Sequence, residues 1–240
     1  MDVAWEDHGW ERIAPDVGRR RLPGWDATVG LVAGGGGALL FDTGSTLGEG
    51  AEIRLQAEQL LGRRVTHIAL SHPHFDHVLG TAVFAGATVY GAAGIDALFA
   101  RSADELAAGA VRQGIPEDKA AEAADLLVRP HHTVRGEWTL DLGGGLQVLL
   151  ANIGPAHSGH DLVAVIPTTP PVVFCGDLVE ESGEPQAGSD ATPSRWPAAL
   201  DRLLALGGES ARYVPGHGAV VDAAFVRAQR DALAERFPVS

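Results

Sequence analysis

One cysteine, Cys175, in 240 residues excludes a disulfide within the chain and a cluster of thiolate metal ligands. No apolar run approaches the roughly 20 residues that a membrane helix needs. The opening Met1-Asp2-Val3-Ala4-Trp5-Glu6-Asp7 lacks the charged and apolar regions of a secretory leader. Positive charge is scarce: 18 Lys and Arg stand against 31 Asp and Glu, a net of −13. Nucleic acid and anionic membrane both call for a positive field, so neither is an expected partner. No Gly-x-Ser-x-Gly turn offers a serine nucleophile. Lys119 is the single lysine, which speaks of genome composition rather than of function. No internal repeat or low-complexity linker divides the chain. With 45% apolar and 20% charged residues, a sizeable core is affordable, and the expectation is one soluble, cytoplasmic domain over residues 1–240.

Against these absences one stretch stands out, Ser71-His72-Pro73-His74-Phe75-Asp76-His77. In an extended segment residues i and i+2 point the same way, so His72 and His74 can grip one ion together. Asp76 and His77 then turn toward a second ion. A polar surface loop that happens to be rich in histidine is the plain alternative. Three further candidates follow strands: His157 in Gly154-Pro155-Ala156-His157, Asp177 in Phe174-Cys175-Gly176-Asp177, and His217 in Pro215-Gly216-His217-Gly218. Glycine beside a ligand lets backbone approach closely.

The remaining pattern supplies the frame. Residues 25–33 read as a strand, Gly34 to Gly37 as a hairpin turn, and Ala38–Phe41 as a buried strand ending in Asp42-Thr43-Gly44. A helix spans roughly 50–61, and a strand at 65–70 leads directly into the histidine cluster. A helix at about 78–84 and a strand at 88–90 follow. Residues 92–129 form a helical insert, with Ile95, Leu98, Phe99, Ser102 and Leu106 on one face. Its second helix is opened by Pro116 and carries Leu126, Leu127 and Val128. Strands return at 137–142, 146–152, 161–166 and 171–176, the last stopping at Asp177. Ser194 is the expected N-cap of a helix at 195–206; a strand at 212–214 and a helix at 222–236 close the chain. Residues 1–24 give no clear assignment. Strands in each half with helices between them point to sheets covered by helices.

The set His72, His74, Asp76, His77, His157, Asp177 and His217, with Asp42-Thr43-Gly44 upstream, resembles the metallo-β-lactamase superfamily over about residues 25–220. The resemblance implies an α/β fold, a four-layer αββα sandwich with two metals at one edge. It implies that His72, His74 and His157 hold the first metal, that Asp76, His77 and His217 hold the second, and that Asp177 bridges them. Five imidazoles and two carboxylates suit two zinc ions, with iron or manganese as the alternative. Asp42 is expected to support the site by hydrogen-bonding a ligand or loop backbone. Ser158 is expected either to do the same or to close a local turn. His160 reads as a surface histidine, with a substrate-cleft role as the alternative. Cys175 reads as a buried structural thiol, and His67, His131 and His132 as structural or solvated. Trp5, Trp10 and Trp25 line either a cleft or the core.

The implied reaction is hydrolysis of an ester, lactone, thioester or amide of a small molecule by a hydroxide held between the metals, with Asp76 orienting it. The end of the chain 23 residues after His217 speaks against a glyoxalase-II-like glutathione domain, and the absent leader against a secreted β-lactamase. An iron-dependent, dioxygenase-like redox enzyme and a β-lactamase are the alternatives. A non-catalytic binding module would be expected to have lost a ligand, and none is lost. Oligomeric state has no signature in the sequence.

Overall fold

Successive side chains of a strand point to opposite faces, and this assigns the apolar residues of two sheets to their layers. The computed structural model describes residues 4–238; the readings placed on residues 1–3 and 239–240 lie outside them. In chain order the first half comprises β1 (Glu11–Ala14), β2 (Val17–Arg21), β3 (Thr28–Ala33), β4 (Ala38–Phe41), α1 (Leu47–Leu61), β5 (His67–Ala69), α2 (Phe75–Val78) and β6 (Thr88–Ala92). The insert follows as α3 (Ile95–Phe99), α4 (Ala103–Arg112) and α5 (Glu117–Asp125). The second half comprises β7 (His132–Val134), β8 (Glu137–Asp141), β9 (Gln147–Asn152), β10 (Leu162–Ile166), β11 (Val172–Glu180), α6 (Trp196–Gly207), β12 (Arg212–His217) and α7 (Ala223–Arg236).

Strands β1 to β7 form one sheet in sequence order, antiparallel up to β4 and parallel from β4 to β7. The other sheet runs β12-β11-β10-β9-β8, with β11 and β12 parallel. Leu39 and Phe41 of β4 face Leu162, Ala164, Val172 and Phe174 of the second sheet, and the Phe41 and Phe174 rings stack at 5.4 Å. The alternate residues Ala38 and Leu40 pack outward against Ile53, Ala57 and Leu61 of α1. On the far side Val163, Val173 and Cys175 pack against Trp196, Leu200 and Leu203 of α6 and Val226 of α7. Both sheets are therefore apolar on both faces, which is why their strands read as continuous apolar runs. The layers are helix, sheet, sheet, helix.

Capping fixes where α1 begins and ends. Thr46 accepts from the Glu49 N–H, while the Glu49 carboxylate accepts from Ser45 N–H and Oγ–H. Gly62 closes the helix at φ 64°. The helix is pinned to the turn after α2 through Gly80, where an added Cβ would meet the Thr43 carbonyl oxygen at 2.0 Å. Backbone cannot rotate aside as a side chain can. Gly80→Ala is therefore expected to cost about 2–3 kcal/mol, measured as a lower urea midpoint at unchanged slope.

Several elements depart from the sequence expectations. The helix after the histidine cluster starts at Phe75 rather than Val78, and a separate 3-10 turn covers Thr81–Val83. Strand β11 does not stop at Asp177 but continues to Glu180, because β12 goes on pairing with it across a register shift. Strand β12 likewise extends to His217. Ser194 is not the N-cap of α6: it lies inside the 3-10 turn Pro193–Arg195, and no side chain caps the helix. Leu126, Leu127 and Val128 follow α5 rather than belonging to it. The unassigned first segment forms the β1–β2 hairpin, and Trp5 and Trp10 are in the core. Among the described residues no helix is long and apolar enough to cross a membrane.

Candidate metal centre

The functional candidates converge at one end of both sheets, in the loops that leave the carboxyl ends of β4, β5 and β9, within β11 and at the end of β12. Parallel strands place ligand sites at such ends because consecutive loops there diverge around a crevice. Strand β4 delivers Asp42 and β5 delivers the segment 71–77. His157 comes from the turn between β9 and β10, Asp177 from within β11, and His217 from the last residue of β12.

Three groups of donor atoms form, each with its atoms within 4.8 Å of one another. One comprises His72, His74, His157 and Asp177, a second Asp76, His77 and His217, and a third Asp177, Glu180 and His217. Asp177 joins them. One of its oxygens lies 3.5 Å from His72 Nε2, 3.5 Å from His157 Nε2 and 3.3 Å from His217 Nε2, and the other lies 3.2 Å from His77 Nε2. Asp76 is 3.4 Å from His217 Nε2 and 3.5 Å from His77 Nε2.

The supporting bonds determine which ring nitrogen each imidazole presents. His77 Nδ1–H donates to Asp42 at 2.9 Å. The Ser71 hydroxyl donates to the same carboxylate at 2.7 Å, so toward His72 Nδ1, 2.8 Å away, it can only accept. A single buried carboxylate thus fixes the tautomers of one histidine in each of the first two groups and leaves both Nε2 atoms free. His217 Nδ1–H donates to the Trp25 carbonyl at 2.7 Å, again freeing Nε2. His74 differs. Its Nε2 engages Asp190 at 3.1 Å and its Nδ1 faces His157 Nε2 at 3.1 Å.

Ser158 does not reach a ligand. Its hydroxyl donates to Asp161 and accepts from His160 N–H, closing the turn that carries His157. Asp161 also accepts from the Ala156 and Ser158 N–H groups, and burial pushes its carboxyl up to about 7 against these donors. His160 is half-buried rather than a free surface residue, with Nδ1 3.0 Å from the Ala93 carbonyl oxygen. Trp25 meets Phe75 edge-on at 5.3 Å beside the centre, unlike the other two N-terminal tryptophans. Cys175 is buried among α6 and α7, and burial raises its thiol. Asp190, Glu180 and the Trp25 carbonyl escape sequence reasoning, since each makes its contact through folding rather than through a local pattern; Asp161 has no role in that reasoning either, although its bonds lie within its own turn.

Protonation follows from the crowding. Burial pushes His157 down to about 4 and His72 well below its ordinary value. For His77, burial acts downward, yet Asp177, Asp76 and Asp42 outweigh it and hold the imidazole well above the ordinary value. His217 is raised to about 9, the bond to Asp177 overcoming burial. Burial would raise Asp177, but His77 and His72 hold it well below the usual carboxylate range.

The family model of the metallo-β-lactamase superfamily matches residues 22–217. This chain belongs to the metallo-β-lactamase superfamily. Among solved structures, a metallo-β-lactamase from Pontibacter korlensis superposes with a TM-score of 0.73 at 20% identity, covering 93% of this chain and 97% of its own. The metallo-β-lactamase FIM-1 from Pseudomonas aeruginosa, solved in a mono-zinc form, gives 0.70 at 18% identity, covering 100% and 98%. These likenesses establish the metallo-β-lactamase fold.

The residues fit a metal pair on physical grounds. His72 Nε2, His77 Nε2 and Asp177 Oδ1 are buried polar atoms without a hydrogen-bond partner, and all three face the shared space. Leaving such atoms unsatisfied costs roughly 1–3 kcal/mol each, a cost that bound cations remove. His157 Nδ1 is also buried without a partner.

Beside the centre a groove of about 490 Å³ runs between the His74 loop and the insert, walled by Phe75, Leu98, Leu106 and Gly109, with Arg112 and Asp190 at its edge.

Proposed function

We propose that this protein is a metal-dependent hydrolase with two zinc ions, cleaving an ester, lactone, thioester or amide bond of a small molecule. The observation that carries the reading is the sharing of Asp177 by two donor groups, with Nε2 of His72, His77, His157 and His217 all within 3.5 Å of its carboxylate. His72, His74 and His157 would hold one ion, Asp76, His77 and His217 the other, and Asp177 both. Two such dications, when bound, supply Lewis acidity and draw the pKa of bound water toward about 7.

The chain's own groups do the rest. Asp42 and Ser71 keep Nδ1 of His72 and His77 protonated, so neither imidazole can swing its lone pair away from the centre. Asp76 Oδ2 lies between His77 and His217, where its carboxylate can orient an attacking water and accept its proton. The groove lined by Phe75, Leu98 and Leu106 offers an apolar wall for the part of the substrate away from the scissile bond. No nucleic acid or membrane partner is proposed.

The test is elemental analysis of protein purified without added metal, with a panel of chromogenic esters, thioesters, lactones and a cephalosporin. Two zincs per chain and hydrolysis that a chelator removes, by at least about 10²-fold, are the expected result; the best substrate names the bond. Preference for the cephalosporin would assign the β-lactamase alternative. Tightly bound iron without hydrolysis would replace the hydrolase reading by a redox one.

A further inference from the structure

Glu180 ends strand β11, three residues beyond Asp177 and opposite His217 in the β11–β12 pairing. Its backbone is clamped from α7. The Glu180 N–H donates to Gln229 Oε1 at 3.0 Å, and Gln229 Nε2–H donates to the Leu178 carbonyl at 2.8 Å. This buried amide holds the strand end in its shifted register, and the side chain that results is only 8% exposed. Its carboxylate receives no hydrogen bond from the protein among the described residues. One of its oxygens falls within 4.8 Å of donor atoms of both Asp177 and His217. A carboxylate this little exposed, beside Asp177 and with no donor from the protein, is costly to hold ionised. A cation beside Asp177 and His217 removes that cost.

We propose that Glu180 is a further metal donor at the second position, resting on the metal-centre reading above, and that the two positions are built for unlike ions. The first gathers three imidazoles and one carboxylate, a set that suits zinc. Adding Glu180 to Asp76 and Asp177 gives the second position three carboxylates against two imidazoles. That donor set is harder and larger, and it shifts preference toward a dication of the manganese type. An Asp-His-His group with only the shared Asp177 would not do so.

The test loads metal-free protein with one equivalent of zinc and titrates Mn²⁺, following free Mn²⁺ by electron paramagnetic resonance. Wild type is expected to take up one equivalent of Mn²⁺. Glu180→Gln, which keeps the shape and removes the charge, is expected to weaken that uptake by about 10–100-fold, and Glu180→Asp by less. Zinc at the first position, followed by chelator competition, should respond far less than Mn²⁺ uptake in both variants. Equal Mn²⁺ affinity in wild type and Glu180→Gln would overturn the proposal and leave Glu180 a buried acid holding a proton. No Mn²⁺ uptake by zinc-loaded wild type that still accepts a second zinc would overturn it too. Failure to bind even one equivalent of any dication would remove the metal-centre reading and this inference together.

Discussion

Asp177→Asn is expected to lower kcat/KM for the best panel substrate by more than about 10³-fold and to leave at most one metal per chain. The substitution preserves volume, so packing against Gly216 and the imidazoles survives. What changes is charge and polarity: an amide NH₂ replaces an oxygen that faces imidazole nitrogens at 3.2–3.5 Å. Both donor groups lose their common member at once, and no other carboxylate reaches all four histidines.

The same variant has a second readout, in metal-free protein. Removing one partner of a buried ion pair typically costs about 3–5 kcal/mol. The folded carboxyl of Asp177 is held below 3.8, so its contribution is present above pH 3.8 and lost as pH falls through the folded value. His77 is held above 6.5, so its contribution is complete below pH 6.5 and lost as pH rises through its folded value. The difference between wild type and Asp177→Asn in urea should therefore be greatest between pH 3.8 and 6.5. A difference that keeps growing above that window would show that the ion pair is not its source.

Asp42→Ala is expected to destabilise the protein by about 3–5 kcal/mol. Asp42 is buried, receives three bonds from Ser71 N, Ser71 Oγ and His77 Nδ1, and has φ 64°. Alanine would leave all three donors without an acceptor and would adopt the left-handed region at a further cost of roughly 1–2 kcal/mol. Asp42→Asn separates the two effects. Asparagine tolerates that backbone and can still accept from Ser71, so most of the stability should return. With its oxygen at the Oδ1 place, where Ser71 N–H donates, its NH₂ occupies the Oδ2 place that accepted from both Ser71 Oγ–H and His77 Nδ1–H, so metal affinity should stay down by about 10–100-fold. Chelator competition alongside urea denaturation tests this, and equal recovery of both properties would remove the tautomer argument.

The dense chemistry of this chain is legible because it is local. Six residues from His72 to His77 carry four donor candidates, and strand-end glycines mark His157, Asp177 and His217. The two-sheet layering is legible too, since apolar runs of four to six residues recur with turns between them. What fails to show is contact made across distance. Asp190 meets His74 from 116 positions away, and the Trp25 carbonyl meets His217 across 192. The overrun of β11 past Asp177 depends on its parallel neighbour, so no property of residues 178–180 predicts it. Ser194 has the composition of a cap, but Pro193 sets a 3-10 turn first, and the hydroxyl is then in the wrong place. The β1–β2 hairpin hides behind its arginines. Arg19 is buried because its guanidinium bonds the Gly218 carbonyl at 2.8 Å and Glu11 at 2.7 Å.

That arginine ties the first sheet to the loop after His217, 199 positions along the chain, and the bridge between Ala27 and His217 does the same beside it. During synthesis, a ribosome releases His72 to His77 long before His217 has been made. The early segment therefore emerges with four donors and no partner group to close around an ion. Contacts of such long sequence separation make folding slow, because the loop-closing entropy is spent before the contacts form. Ions captured by the early segment alone would be held weakly and exchanged freely. With the proposed metals, selection between competing ions would wait until the last strand docks, and the finished cavity rather than the growing chain would make it.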